Sequence, residues 1–81
     1  MKIKGGEMTQ EETQEKRKQS YQRYRGIADR TGLTDYTIAK MAGFSNVTMT
    51  DWKAGRYIPK IDKLRALAMV LGVTLEELLE G

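Results

Sequence analysis

The sequence predicts an all-α fold, a compact domain of five helices in which two form a helix-turn-helix. Three observations predict it. Apolar residues recur at helical spacing, as in Tyr21, Tyr24, Ile27 and Ala28, and again in Ile61, Leu64, Leu67, Ala68 and Leu71. A helix-start signature occurs three times: an apolar residue, a hydroxyl residue, and a second apolar residue four positions beyond the hydroxyl. No stretch shows the sustained two-residue alternation of a half-buried strand.

The 81 residues support one domain with one modest core, burying on the order of 60% of the surface the unfolded chain exposes. Residues 1–20 hold only Ile3, Met1 and Met8 as apolar side chains, too few to offset the entropy of ordering. They are expected to be a polar N-terminal tail or a solvated helical extension. Thr9 with Glu12 is a candidate capping box, and Glu11, Glu12 and Glu15 precede Lys16, Arg17 and Lys18, the order that supports a helix. Lys4, Gly5, Gly6 and Glu7 lie before Met8, where a purine-rich codon run resembling a ribosome-binding site would make Met8 the true start.

Residues 21–81 are expected to form the domain. The first helix carries Tyr21, Tyr24, Ile27 and Ala28 inward and stops near Thr31, ahead of Gly32. Leu33, Thr34 and Ile38 mark the start of the second helix near Asp35. Phe44, Ser45 and Met49 mark the third near Asn46, and Val73, Thr74 and Leu78 mark the fifth near Leu75. In each, the hydroxyl accepts a first-turn N–H, for about 1 kcal/mol per cap, while the flanking apolar pair clamps the approach of the chain. Glu77 adds a capping box to the last. The fourth helix follows Pro59, with Ile61, Leu64, Leu67, Ala68 and Leu71 on its inner face and Gly72 at its left-handed end.

Composition excludes several kinds of chemistry. The chain has no Cys and no His, which removes disulfides, thiolate metal sites and the commonest general base, so no metal, cofactor or enzymatic role is expected. No paired inward carboxylates and no Gly-rich phosphate loop supply an alternative. No apolar run reaches the roughly 18 residues that span a bilayer, and no signal peptide is evident, so a cytoplasmic protein with no membrane partner is expected. The net charge is +3. From Tyr21 to Arg65 nine Lys or Arg face four Asp, a balance of +5, whereas Ala66 to Gly81 carries three Glu and no cation. Such a basic middle is what phosphate binding needs, although a solvated helical surface has the same appearance.

Only Gly43, Phe44 and Ser45 separate the second and third helices. So tight a corner requires a small residue where the backbones approach, a Gly at the turn and apolar residues pointing inward from both sides. Ala39 meets the first demand, Gly43 the second, and Ile38, Ala42, Phe44, Met49 and Trp52 the third. The spacing over residues 35–54 is that of a helix-turn-helix. Trp52 is expected in the core, its indole N–H needing a polar exit.

Over roughly Tyr24 to Gly81 the chain resembles the Cro and phage-repressor type (XRE family) of helix-turn-helix regulators. The residues that carry the resemblance are Gly32-Leu33-Thr34, Tyr36, Ile38-Ala39-Lys40, Gly43-Phe44-Ser45, Met49 to Gly55, Pro59, and Leu71 to Leu79. It implies a lambda-repressor-like domain in a bacterial or prophage-like transcriptional regulator, a repressor, whose third helix enters the major groove of double-stranded DNA.

Carried over by position, the resemblance assigns base readout or adjacent phosphate contact to Ser45, Asn46, Val47, Thr50 and Asp51. Their chemistry fits: Asn pairs bidentately with adenine, Val packs on a thymine methyl, Thr donates or accepts, and Asp accepts from cytosine N4. Asp51 is repelled by phosphates unless a base or a nearby cation compensates. Lys40, Lys53, Arg56, Tyr57 and Lys60 are the candidate phosphate contacts, Arg56 and Lys60 foremost. The chain departs from the family at Asp35, where Gln is frequent, and at Ala54, where Asn is frequent, so a different contact set is expected. One short helix gives little specific contact, so a homodimer on a palindromic site is expected, with Leu75, Leu78 and Leu79 as the candidate patch unless these leucines close the core. No small-molecule ligand is expected. The competing expectation is a protein-interaction module of the same fold, such as an antitoxin-like or regulatory partner, whose binding would not weaken steeply with salt.

Overall fold

The computed structural model describes residues 9–80, and within them the chain is built from five α-helices: α1 Gln10–Asp29, α2 Asp35–Ala42, α3 Asn46–Lys53, α4 Ile61–Leu71 and α5 Leu75–Glu80. No strand occurs among the described residues. The all-α, five-helix, helix-turn-helix architecture expected from the sequence is therefore present. The alternative start at Met8 lies outside the described residues.

α1 begins far earlier than its apolar pattern. Thr9 Oγ1 accepts from the Glu12 N–H at 3.1 Å and Glu12 Oε1 accepts from the Thr9 N–H at 2.9 Å, so two otherwise unpaired donors of the first turn are satisfied reciprocally. Glu11 and Glu12 in that turn also oppose the positive end of the helix dipole. The helix ends at Asp29, two residues short of expectation. The Arg30, Thr31 and Gly32 amides then close turns onto the carbonyls of Ile27, Ala28 and Asp29.

Of the three helices expected to start at a hydroxyl residue, α2 and α5 are capped by it and α3 is not. Thr34 Oγ1 accepts from the Thr37 N–H at 3.2 Å, and Thr74 with Glu77 forms the expected reciprocal pair at 3.0 and 2.9 Å. Ser45 stands at the N-cap of α3 in an extended conformation but makes no side-chain cap bond. Its carbonyl accepts the Thr48 N–H at 3.2 Å, so the first turn closes without the hydroxyl. The corner between α2 and α3 turns at Gly43, whose φ of +93° is a left-handed conformation that a side chain opposes.

One core joins all five helices: Tyr21, Tyr24, Ile27 and Ala28 of α1, Ile38 and Ala39 of α2, Met49 and Trp52 of α3, Leu64, Leu67 and Ala68 of α4, and Leu78 of α5. α1 packs on α3 and α5, and α2 packs on α3 and α4. Ala42 and Phe44 rest half-buried against this core, and Lys63 Nζ lies 5.6 Å from the Phe44 ring centroid, a cation–π contact between α4 and the corner. Ile61 is not on the inner face as expected. It opens α4 and is 46% exposed, because the helix turns toward the core only from Leu64.

Leu78 is likewise no docking residue. It is 2% exposed and closes the core on α1 and α4, so a dimer patch that includes it is corrected to one without it. Leu75 is half-buried against the core and Leu79 is 38% exposed.

Candidate nucleic-acid interface

α3 holds the candidate readout residues, and its eight-residue length divides them by face. Met49 and Trp52, three apart, are both 1% exposed. Trp52 is fixed by the tyrosines of α1: its ring centroid lies 5.0 Å from that of Tyr24 at 33°, and 5.7 Å from that of Tyr21 at 83°, an edge-to-face contact. Trp52 Nε1 is buried and meets no acceptor among the described residues, so the polar exit expected of it is not made within the chain.

The opposite face looks outward. Ser45, Asn46, Val47 and Thr50 are exposed, Val47 at 65%. Val47 has no packing partner to justify a β-branched apolar side chain there. The Ser45 hydroxyl is unused as a cap. Thr50 Oγ1 donates to the Asn46 carbonyl at 3.1 Å, so its hydroxyl presents acceptor capacity outward.

Asp51 is half-buried and is not alone. Arg56 Nη1 donates to Asp51 Oδ1 at 2.9 Å, and the Arg56 N–H donates to the Asp51 carbonyl at 2.9 Å. Of the two ways a carboxylate there could be compensated, a base or a cation, the loop after α3 supplies the cation. In the free chain Arg56 is engaged in this pair, with its side chain 63% exposed.

The other candidate phosphate contacts are distributed around α3. Lys40 lies in the last turn of α2, its Nζ 5.7 Å from the centroid of the exposed Tyr36 ring. Lys53 ends α3 and Lys60 caps α4, and all three lysines are exposed. Tyr57 is half-buried, packed against the core.

The structure adds residues that the sequence did not single out as functional. Asp35, noted only as a departure from the family pattern, is the acceptor for three donors of α1: Tyr21 Oη at 2.5 Å, Tyr24 Oη at 2.8 Å and Arg25 Nη1. Arg25 also donates to Asp29 Oδ1 at 2.9 Å and to the Leu33 carbonyl at 2.7 Å. Burial, reinforced by the hydrogen bond to Asp35, pushes the Tyr21 phenol up to about 12 and raises that of Tyr24 further. Burial works against the Arg25 charge, but the hydrogen bonds to Asp29 and Asp35 outweigh it and hold its pKa above the ordinary value. Asp35 thus turns inward to fasten α1 to the start of α2. Gln14 and Arg17, from the segment expected to be tail or solvated extension, reach the loop after α3. No local signal marks them, since their partners lie about forty residues away.

Among the described residues, no helix is long and apolar enough to cross a membrane, and no cluster of acidic side chains is arranged to hold a metal ion. A family model described as helix-turn-helix matches residues 27–78. No curated protein and no solved structure matches the chain significantly.

Proposed function

We propose that this chain, which belongs to the helix-turn-helix family, binds double-stranded DNA sequence-specifically as a small transcriptional regulator, with α3 in the major groove. The family carries a DNA-binding or regulatory role in general; the groove placement, the operator specificity and a Cro-like repressor role in the cytoplasm are the finer parts of the proposal. The observation that carries it is the division of α3. Met49 and Trp52 anchor the helix inward, while Ser45, Asn46, Val47 and Thr50 stand outward with no packing duty. Side chains of that kind at the start of a helix match base edges in the major groove.

Lys40, Lys53, Arg56, Tyr57 and Lys60 supply phosphate contacts around it. Asp35, Asp51 and Ala54 each favour a protein-interaction module slightly, and the first two lose that weight. Asp35 is committed to α1, and Asp51 is neutralised by Arg56. The chain acts as a homodimer on a two-fold symmetric site, because one eight-residue helix contacts too few base pairs for specificity alone. Leu79, with the exposed edge of Leu75, is the apolar surface offered for pairing.

Selection from a randomised duplex pool, followed by titration of the winning sequence over a range of salt concentrations, tests this. The expected result is a palindromic motif, with affinity falling at a slope of about −3.6 in log salt per chain if four phosphates are neutralised. Absence of any enriched motif would move the function to binding of a partner protein.

A further inference from the structure

The N-terminal half of α1 grips the loop that follows α3. Gln14 Nε2 donates to the Ala54 carbonyl at 3.2 Å, and Arg17 Nη1 donates to the Arg56 carbonyl at 2.9 Å and the Gly55 carbonyl at 3.4 Å. These carbonyls lie at and just beyond the C-terminus of α3, where no N–H of that helix can reach them. Between them the backbones touch. Gly55 has φ +80°, and a Cβ there would lie 2.7 Å from Gln14 Cγ, 2.8 Å from the Gln14 carbonyl oxygen and 3.0 Å from Lys18 Cγ. The loop so held carries Arg56, which in turn holds Asp51 by both its side chain and its backbone.

We propose that residues 10–18 of α1 are a positioning segment for DNA readout: Gln14 and Arg17 fix the backbone of residues 54–56, and through Arg56 they set the Asp51 carboxylate on the readout face. This rests on the DNA-binding function proposed above. Arg17 is a positioning residue and not a phosphate contact, because the nitrogen that bonds both carbonyls points into the protein loop. Besides this grip the loop is held by the amides of residues 54–56, which bond back to α3, and by Tyr57 against the core. The Asp51–Arg56 pair is an exposed ion pair, the kind that holds little geometry unless its backbone is anchored.

The test uses the full chain with Arg17→Ala, Arg17→Lys, Asp51→Ala and the Arg17→Ala/Asp51→Ala double variant. Amide hydrogen exchange is read at Gly55 and Arg56 in the free protein, and motif selection, affinity and salt slope are read with DNA. With Arg17→Ala, the expected results are cooperative unfolding, faster exchange at Arg56, about tenfold weaker binding and a flattened preference at the base pair facing Asp51, with the salt slope unchanged. Arg17→Lys restores these, since one cationic nitrogen makes both bonds. In the Asp51→Ala background, Arg17→Ala no longer alters the base preference. If Arg17→Ala prevents folding, Gln14→Ala carries the same comparison.

A salt slope reduced by about 0.9 in Arg17→Ala, the signature of one lost phosphate contact, would overturn the proposal, as would unchanged exchange and unchanged preference. A wild-type chain that selects no motif defeats the DNA function itself. In that case faster Arg56 exchange still upholds the grip of α1 on the loop, and unchanged exchange overturns that as well.

Discussion

The phenol of Tyr24 donates to the carboxylate of Asp35 at 2.8 Å and thereby ties the first helix to the first residue of the second. Tyr24 is fully buried and Asp35 is shared with Tyr21 and Arg25, so a single carboxylate satisfies three donors at the base of the helix-turn-helix. Asp35→Ala strands two phenols in partly dry surroundings and takes one of three acceptors from Arg25, which keeps Asp29 and the Leu33 carbonyl; it is expected to cost about 3 kcal/mol in denaturant unfolding. Asp35→Asn, which keeps an acceptor oxygen, is expected to cost less. Equal losses in the two variants would show that the hydrogen bonds matter little.

Alkaline pH probes the same cluster. The Tyr21 phenol ionises near 10 when unfolded and at about 12 when folded, because burial and the Asp35 carboxylate oppose its anion. A folded pKa above the unfolded one means that the unfolded chain releases its proton first as pH rises. The Tyr21 contribution is thus intact below pH 10 and is lost between about 10 and 12. Unfolding midpoints followed across that window should fall, and Tyr21→Phe should make the fall shallower, the remainder belonging to Tyr24.

Arg56 has two duties on the proposed interface, and they separate by mutation. Removing it deletes a cation and also leaves Asp51 uncompensated beside phosphates. Arg56→Ala is therefore expected to weaken DNA binding by more than Lys60→Ala, on the order of 1–2 kcal/mol further. Asp51→Ala should recover part of that loss when combined with it. Equilibrium titration of the four proteins closes the cycle, and strictly additive effects would mean that the pair does not operate at the interface.

Trp52 carries a large buried surface and a donor without a protein acceptor. Trp52→Ala is expected to cost about 3–5 kcal/mol, enough to unfold so small a domain. Trp52→Phe loses some contact but also removes the unpaired indole N–H, and is expected to cost less than about 1.5 kcal/mol by thermal unfolding. A Phe variant as unstable as the Ala variant would show that the indole N–H is satisfied after all.

Helix starts and the corner of the helix-turn-helix were legible because their causes are local. Thr34 caps an amide three residues away, Thr74 and Glu77 do the same for each other, and Gly43 answers a constraint of its own backbone. The inward pair Met49 and Trp52 followed from spacing alone. Asp35 was hidden because its donors sit 10 to 14 residues back on another helix, and its meaning exists only once α1 and α2 are packed. Arg17 and Gln14 were harder still, with acceptors 38 to 40 residues away. Their helix lacks apolar periodicity before Tyr21; it persists because a capping box starts it and the loop after α3 receives it. Ser45 shows the opposite limit: the right residue at the right place need not make the bond its type prefers.

The packing of α5 on α1 has a consequence for how the chain is born. Leu78, the last core residue, seals a surface that begins with Tyr21, so the core stays open on the ribosome until nearly the whole domain has emerged from the exit tunnel. Until then the faces of α1 and α4 on which α5 packs stay uncovered. The fold is thus completed only when α5 arrives, and a stall before Leu78 emerges would hand chaperones and proteases an unsealed domain.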